Sequence, residues 1–160
     1  LALDEPALQP QTAGTITSVL VSEAGPVGWR IITNRWPQLP AAAQLAAARS
    51  LMALATPSLH QAGRDLLALA IAQTPPPIDD RHLALAGAAA QLQAIDLFEP
   101  LAAWLPLCLG SQADRARLHL VTALRAIDPA NGRDRLQTWA DQEPDRDKAT
   151  AWSAAIALWP

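Results

Sequence analysis

The sequence predicts an all-α protein, either an α-solenoid or superhelix of about four antiparallel helical pairs or an irregular helical bundle. Three observations lead there. Ala and Leu dominate a chain that is 51% hydrophobic, lacks Tyr, holds one Phe and takes its aromatic volume from six Trp, which is helix-forming composition. Fourteen Pro fall mostly between the Ala/Leu-rich stretches, where Pro ends one helix or opens the next. An acidic–basic pair recurs at Asp80-Arg81, Asp114-Arg115 and Asp147-Lys148, at intervals of 34 and 33 residues, a period in the range of stacked helical hairpins.

Residues 1–25 read as a leader: Leu1 to Pro10 is loose, and Gln11 to Ala24 is a helix closed by Gly25 and Pro26. Within it the β-branched run Thr15 to Val21 fits either a short strand or an irregular helix. Residues 26–160 form the helical-repeat domain. Val27 to Trp36 is a short helix with Trp29, Ile32 and Trp36 on one face, stopped by Trp36-Pro37. Ala41 to Ala55 places Leu45, Ala48, Met52 and Ala55 along one stripe. Thr56-Pro57 caps a helix running to Gln73, with Leu59, Leu66, Leu67 and Ala70 inward. Asp79 or Asp80 caps Arg81 to Ile95. Phe98 to Leu109 follows, with Pro106 set to kink or shorten it and Gly110 past its end. Ser111 or Asp114 opens a helix to Ile127, Asp128-Pro129 and Asn131-Gly132 turn the chain, Arg133 to Gln142 is the next helix, and Asp147 to Trp159 the last.

The chain of 160 residues fits one domain. Its weakly charged runs, Leu66 to Ile78 and Leu83 to Ile95, are shorter than the ~20 apolar residues a membrane span needs. A net charge of −3 argues against nucleic acid or an anionic membrane as partner. Eleven of the twelve basic residues are Arg, with Lys148 the exception. No signal peptide is visible, which favours the cytoplasm, and a chain beginning at Leu1 is expected to be a mature form or a piece of something longer.

The self-similarity extends beyond the acidic pairs. Gln93-Ala94-Ile95-Asp96 matches Arg125-Ala126-Ile127-Asp128, and Leu101-Ala102-Ala103-Trp104 matches Leu136-Gln137-Thr138-Trp139 after 35 residues. The pattern of Asp-Arg, then Ala and Leu at helical spacing, then an Ala-x-x-Leu-x-x-Ile-like close, seen best at Ala116 to Ile127, resembles the second helix of HEAT repeats, particularly the short HEAT-like repeats of the phycobilisome lyase type. The resemblance covers about Pro40 to Trp159. Arg117 and His119 depart from it, standing where small apolar residues are usual. It implies an α-solenoid whose concave face is free to bind. It also implies, as an alternative activity, bilin attachment or DNA glycosylase chemistry, since HEAT-like proteins include both.

The residues themselves favour binding over catalysis. There is no phosphate loop, no Gly-x-Ser-x-Gly elbow and no metal-ligand spacing, so no cofactor or metal is expected. His60, His82 and His119 read as surface or rim residues, and Cys108 as a small buried one. Trp104 and Trp139 occupy matching repeat positions and read as packing, whereas Trp29, Trp36, Trp152 and Trp159 sit near the ends, with Trp159 expected at the surface. The expected function is a non-catalytic interaction or scaffold module whose partner is another protein or another domain of the same protein. Arg81, Arg115, Arg117 and His119 are its candidate polar contacts and Trp152 and Trp159 its apolar anchors.

Overall fold

The computed structural model describes residues 30–53, 60–110 and 112–159, together with 15, 16, 19, 23, 27 and 28. The leader Leu1 to Pro10, the Thr56-Pro57 cap, Trp29 and the side chains of Met52 and His60 lie outside the described residues. Thr15, Ile16 and Val19, where the sequence allowed a strand, are helical. Every regular element among the described residues is a helix: α1 (30–34), α2 (Ala41–Ala53), α3 (His60–Gln73), α4 (Asp80–Gln91), α5 (Phe98–Ala102), α6 (Ala113–Ile127), α7 (Gly132–Gln142) and α8 (Arg146–Ala157), with short 3-10 turns at Trp36–Gln38, Ile95–Leu97 and Leu105–Leu107. No helix among them is long and apolar enough to cross a membrane.

Two packing relations order these helices. Consecutive helices pair, α3 with α4, α5 with α6 and α7 with α8. Alternate helices also touch: α2 lies on α4, α4 on α6 and α6 on α8. One continuous core runs through the pairs, with Ile32, Trp36, Leu67, Leu85, Phe98, Leu101, Leu105, Leu120, Leu124 and Leu136 fully buried between Ala-rich surfaces. Ala86, Ala88 and Ala89 of α4 are also fully buried, and their small side chains let the neighbouring backbones come close.

Several boundaries differ from the sequence expectation for local reasons. α4 ends at Gln91 instead of Ile95, because Gln93 takes a left-handed backbone (φ 47°). The Ala94 N–H then reaches the Ala89 carbonyl and the Gln93 N–H the Ala90 carbonyl, a closure that usually employs Gly. Arg64 donates to the Leu92 and Gln93 carbonyls at 2.9 and 3.2 Å and covers the same end. The apolar stretch from Phe98 divides into α5 and the Leu105–Leu107 turn, with Pro106 in that turn. Trp104 therefore sits in the turn after α5 while Trp139 lies inside α7, so the two matching Trp both pack against the core but from different backbone settings.

The acidic residues that set the repeat are first-turn residues and not caps. Asp79 caps α4 by accepting from the Arg81 N–H, and Asp145 caps α8 by accepting from the Asp147 and Lys148 N–H groups. α6 starts from Gln112 with no side-chain cap. Asp80, Asp114 and Asp147 follow within the first turns, where a negative charge still favours the positive helix end.

Candidate functional site

The first residues of α2, the start of α4 and the start of α6 meet at one end of the molecule around a cleft of ≈ 430 Å³, so these three helices run side by side in one sense. Its apolar wall comes from Leu45, Ile78, Leu83 and Ala116. A second depression of ≈ 250 Å³ continues from it along α4 and shares Asp80, Leu83 and Arg115 with it. The floor is a stripe of α4, Asp80, Leu83, Ala84 and Gly87, which recur at i, i+3, i+4 and i+7 and so share a face. Ala84 and Gly87 carry little or no side chain, so α4 is recessed below its neighbours. The flanking walls carry Arg49 from α2 and the i, i+4 pair Arg115 and His119 from α6.

Three of the sequence-predicted candidates therefore come together here. Arg115 and His119 are exposed, and neither they nor Arg49 make a side-chain hydrogen bond or ion pair among the described residues. Arg81 also lines the cleft but is held, donating to Asp79 Oδ2 at 2.7 Å through Nε and again through Nη2, and to Gln44 Oε1 through Nη1. Arg117 stands elsewhere, donating to the Cys108 carbonyl (3.0 Å) and to Asp114 (3.2 Å). Trp152 and Trp159 belong to the far end. Trp152 packs on Trp139, and Trp139 on Phe98, with ring centroids 5.9 and 6.0 Å apart. Trp159, expected at the surface from its place near the end, is partly buried, because Gly132 leaves room for its ring beside Phe98. Arg135 lies over the Phe98 ring at 4.4 Å, a cation–π contact that joins this cluster.

From the cleft wall a polar chain runs inward to buried groups. Gln44, 2% exposed, donates to the Trp36 carbonyl and accepts from Arg81. Arg81 pairs with Asp79, and Asp79 meets His82, whose Nδ1 lies 3.2 Å from the Asp79 N–H nitrogen and 3.0 Å from Asp79 Oδ1. His82, read from sequence as a rim residue, is fully buried and packs edge-on against Trp104 with ring centroids 4.7 Å apart. Trp36 donates to Thr74 Oγ1 (2.6 Å), which in turn donates to the Ala70 carbonyl (2.8 Å). Partial burial raises the Asp79 carboxyl, but hydrogen bonding with Arg81 and with the His82 ring, together with the guanidinium charge, outweighs it and brings it down to about 2. Burial lowers the His82 imidazole below its ordinary value, against the opposing pull of Asp79.

Sequence reasoning missed Arg49 and Gln44. The i, i+4 spacing of Leu45 and Arg49 puts them on one side of α2, yet nothing local says which other helix that side meets. Cys108 is 1% exposed and burial raises its thiol to about 11, as suits a packing residue. Among the described residues no three His, Cys, Asp or Glu come together to hold a metal. Comparison of the chain with protein-family models, curated proteins and solved structures returns no match.

Proposed function

We propose that the chain is a non-catalytic interaction module, a short HEAT-like stack whose α2/α4/α6 groove receives an acidic, helical segment of another protein or of another domain of the same protein. The pairing of consecutive helices together with the contact of alternate ones supports the stack, since this is how solenoid repeats share a core. The groove carries the functional reading. Its floor is recessed and apolar, and its rim places Arg49, Arg115 and His119 opposite the single carboxylate of Asp80 in the inner depression. Unengaged guanidinium groups beside an apolar trough match an amphipathic helix with carboxylates along its polar edge.

Rim charges act mainly through association rate and selectivity. Reversing both Arg49 and Arg115 to Glu is expected to weaken capture of the native partner about tenfold or more, by ~0.7 kcal/mol or more for each reversed charge. Arg146→Glu, at the exposed start of α8, is expected to leave capture unchanged. Quantitative co-purification from native extract with the three forms tests this. Equal recovery by all three would remove the groove from consideration.

A further inference from the structure

The groove wall and the polar chain share Asp79 and Arg81, and this couples the shape of the surface to a group beneath it. His82 lies about 200° round α4 from Asp80, on the face opposite the groove stripe. Its ring is enclosed: Asp79 lies against Nδ1, Trp104 packs on the ring in a T-shaped contact, and Nε2 has no hydrogen bond of good geometry, the Thr74 backbone being the polar group that bears on it. With Nδ1 accepting from the Asp79 N–H, the ring and carboxylate form a reciprocal capping box over the first turn of α4. A second ring proton at Nδ1 finds Asp79 Oδ1, 3.0 Å away, as its acceptor, but it takes the Nδ1 lone pair from the Asp79 N–H, one of the donors a helix start leaves unsatisfied. It also leaves a positive ring fully buried with Nε2 unpaired, a cost the one carboxylate contact only partly offsets.

We propose that His82 is a proton-sensitive latch on the groove: protonation expels the ring from between Asp79 and Trp104, opens the first turn of α4 and displaces the Asp79–Arg81 pair from the groove wall. The groove is then formed at neutral pH and lost in acid. The functional consequence rests on the groove reading above, while the latch itself does not.

The charged surroundings support a response governed by this one ring. From α4 and its cap, Asp79 and Arg81 act on it. From α2 the network receives the neutral Gln44, while Arg49 is in the groove. From α3, Arg64 is at the opposite end of α4 on the Leu92 and Gln93 carbonyls, and Asp65 is exposed. From α6, Arg115 and His119 line the groove and Arg117 is engaged with Asp114 and the Cys108 carbonyl. The imidazole is held below its ordinary 6.5 by burial. The opened form therefore binds the proton more readily, and opening grows as pH falls below about 6.5 until the folded ring itself titrates.

Two measurements on the free protein test the latch: imidazole NMR of His82 from pH 8 to 4.5, and hydrogen exchange of residues 80–85 corrected for the intrinsic pH dependence. The expected result is a His82 ring that titrates below the ordinary imidazole value in the folded form, with the opening equilibrium of residues 80–85 rising by up to tenfold per pH unit below about 6.5. In His82→Gln, where Gln can close the same capping box without titrating, that rise is expected to vanish. A His82 ring that titrates near 6.5 with protection unchanged would overturn the proposal, as would an equal rise in the variant. Should the variant not fold, the wild-type ring titration and exchange profile decide alone. Neither measurement involves a partner, so their failure leaves the groove reading standing, and failure of the Arg49/Arg115 test leaves the latch standing.

Discussion

Asp79→Ala is the substitution that most directly separates the observed capping of α4 from the one the repeat register suggests. The register residue is Asp80, but the residue whose side chain accepts from the Arg81 N–H (2.9 Å), pairs with the Arg81 guanidinium (2.7 Å) and meets His82 is Asp79. Two routes give the magnitude. Loss of an N-cap carboxylate costs about 0.5–2 kcal/mol. A carboxyl held at about 2 in place of 3.8 corresponds to at most ~2.4 kcal/mol at neutral pH. With 38% of that side chain exposed, solvent screening reduces this to about 1 kcal/mol. The routes agree on about 1–2 kcal/mol, or roughly 3–6 °C in Tm for a chain of this size. Because the folded carboxyl titrates below the unfolded one, its contribution is fully present above about pH 4 and is lost as pH falls towards 2. Denaturant melts of wild type, Asp79→Ala and Asp80→Ala at pH 7 and pH 2.5 provide the assay. Asp80→Ala should stay within about 0.5–1 kcal/mol of wild type, and the Asp79 difference should shrink in acid. A cost at Asp80 equal to that at Asp79, or an Asp79 cost independent of pH, would refute the capping argument.

Other substitutions follow from local geometry. Gln93→Gly, at the left-handed position that closes α4, should stabilise by about 0.5–1 kcal/mol, read as a rise of roughly 2–4 °C in Tm. Gly132→Ala should destabilise by about 1–3 kcal/mol, since a Cβ there would stand 2.8 Å from the Trp159 ring and 2.9 Å from that of fully buried Phe98; combining it with Trp159→Ala should return only part of the loss on a double-mutant cycle, because Phe98 cannot retreat. Cys108, buried and raised to about 11, should resist a thiol reagent at pH 8 in the native protein and react at once in denaturant; rapid native labelling would contradict its packing role.

The helical composition and most helix ends were legible because Pro and Asp mark them locally. Where the reading failed, the deciding contact came from another element. α4 stops early at Gln93, which is not the Gly that such a closure usually shows, and Arg64 of α3 covers the exposed carbonyls. The stripe chosen for α2 put Ala48 inward, where it is, but also Leu45, which faces the cleft, while Ala43, Gln44 and Ala47 are buried among the described residues of that helix. A helix with Ala on every side gives little amphipathic contrast, and Gln44 is buried only because Trp36 and Arg81 satisfy it. His82 was misplaced for the same reason: its burial depends on Trp104 in a turn after α5. On the groove side, Arg115 and His119 were named as candidates from one helix, whereas Arg49 joins them only through the packing of α2 on α4 and α4 on α6.

The scarcity of bulk in α4 connects groove and latch. On its buried side Ala86, Ala88 and Ala89 admit close neighbours, and on its open side Ala84 and Gly87 leave a trough between the taller walls of α2 and α6. A helix with few large side chains has little apolar anchorage for its first turn, and the polar set Asp79, Arg81, His82 and Gln44 holds that turn instead. The two sides should then answer differently to the same added volume. Ala84→Leu extends into the open trough and should leave stability within about 0.5 kcal/mol, while filling the floor and blocking a helical partner. Ala86→Leu, the same change on the fully buried side, should cost about 1–3 kcal/mol by overpacking. Equal stability costs at the two positions, measured by denaturant melts, would mean that the trough over Ala84 is closed in solution, and the groove would lose its physical basis.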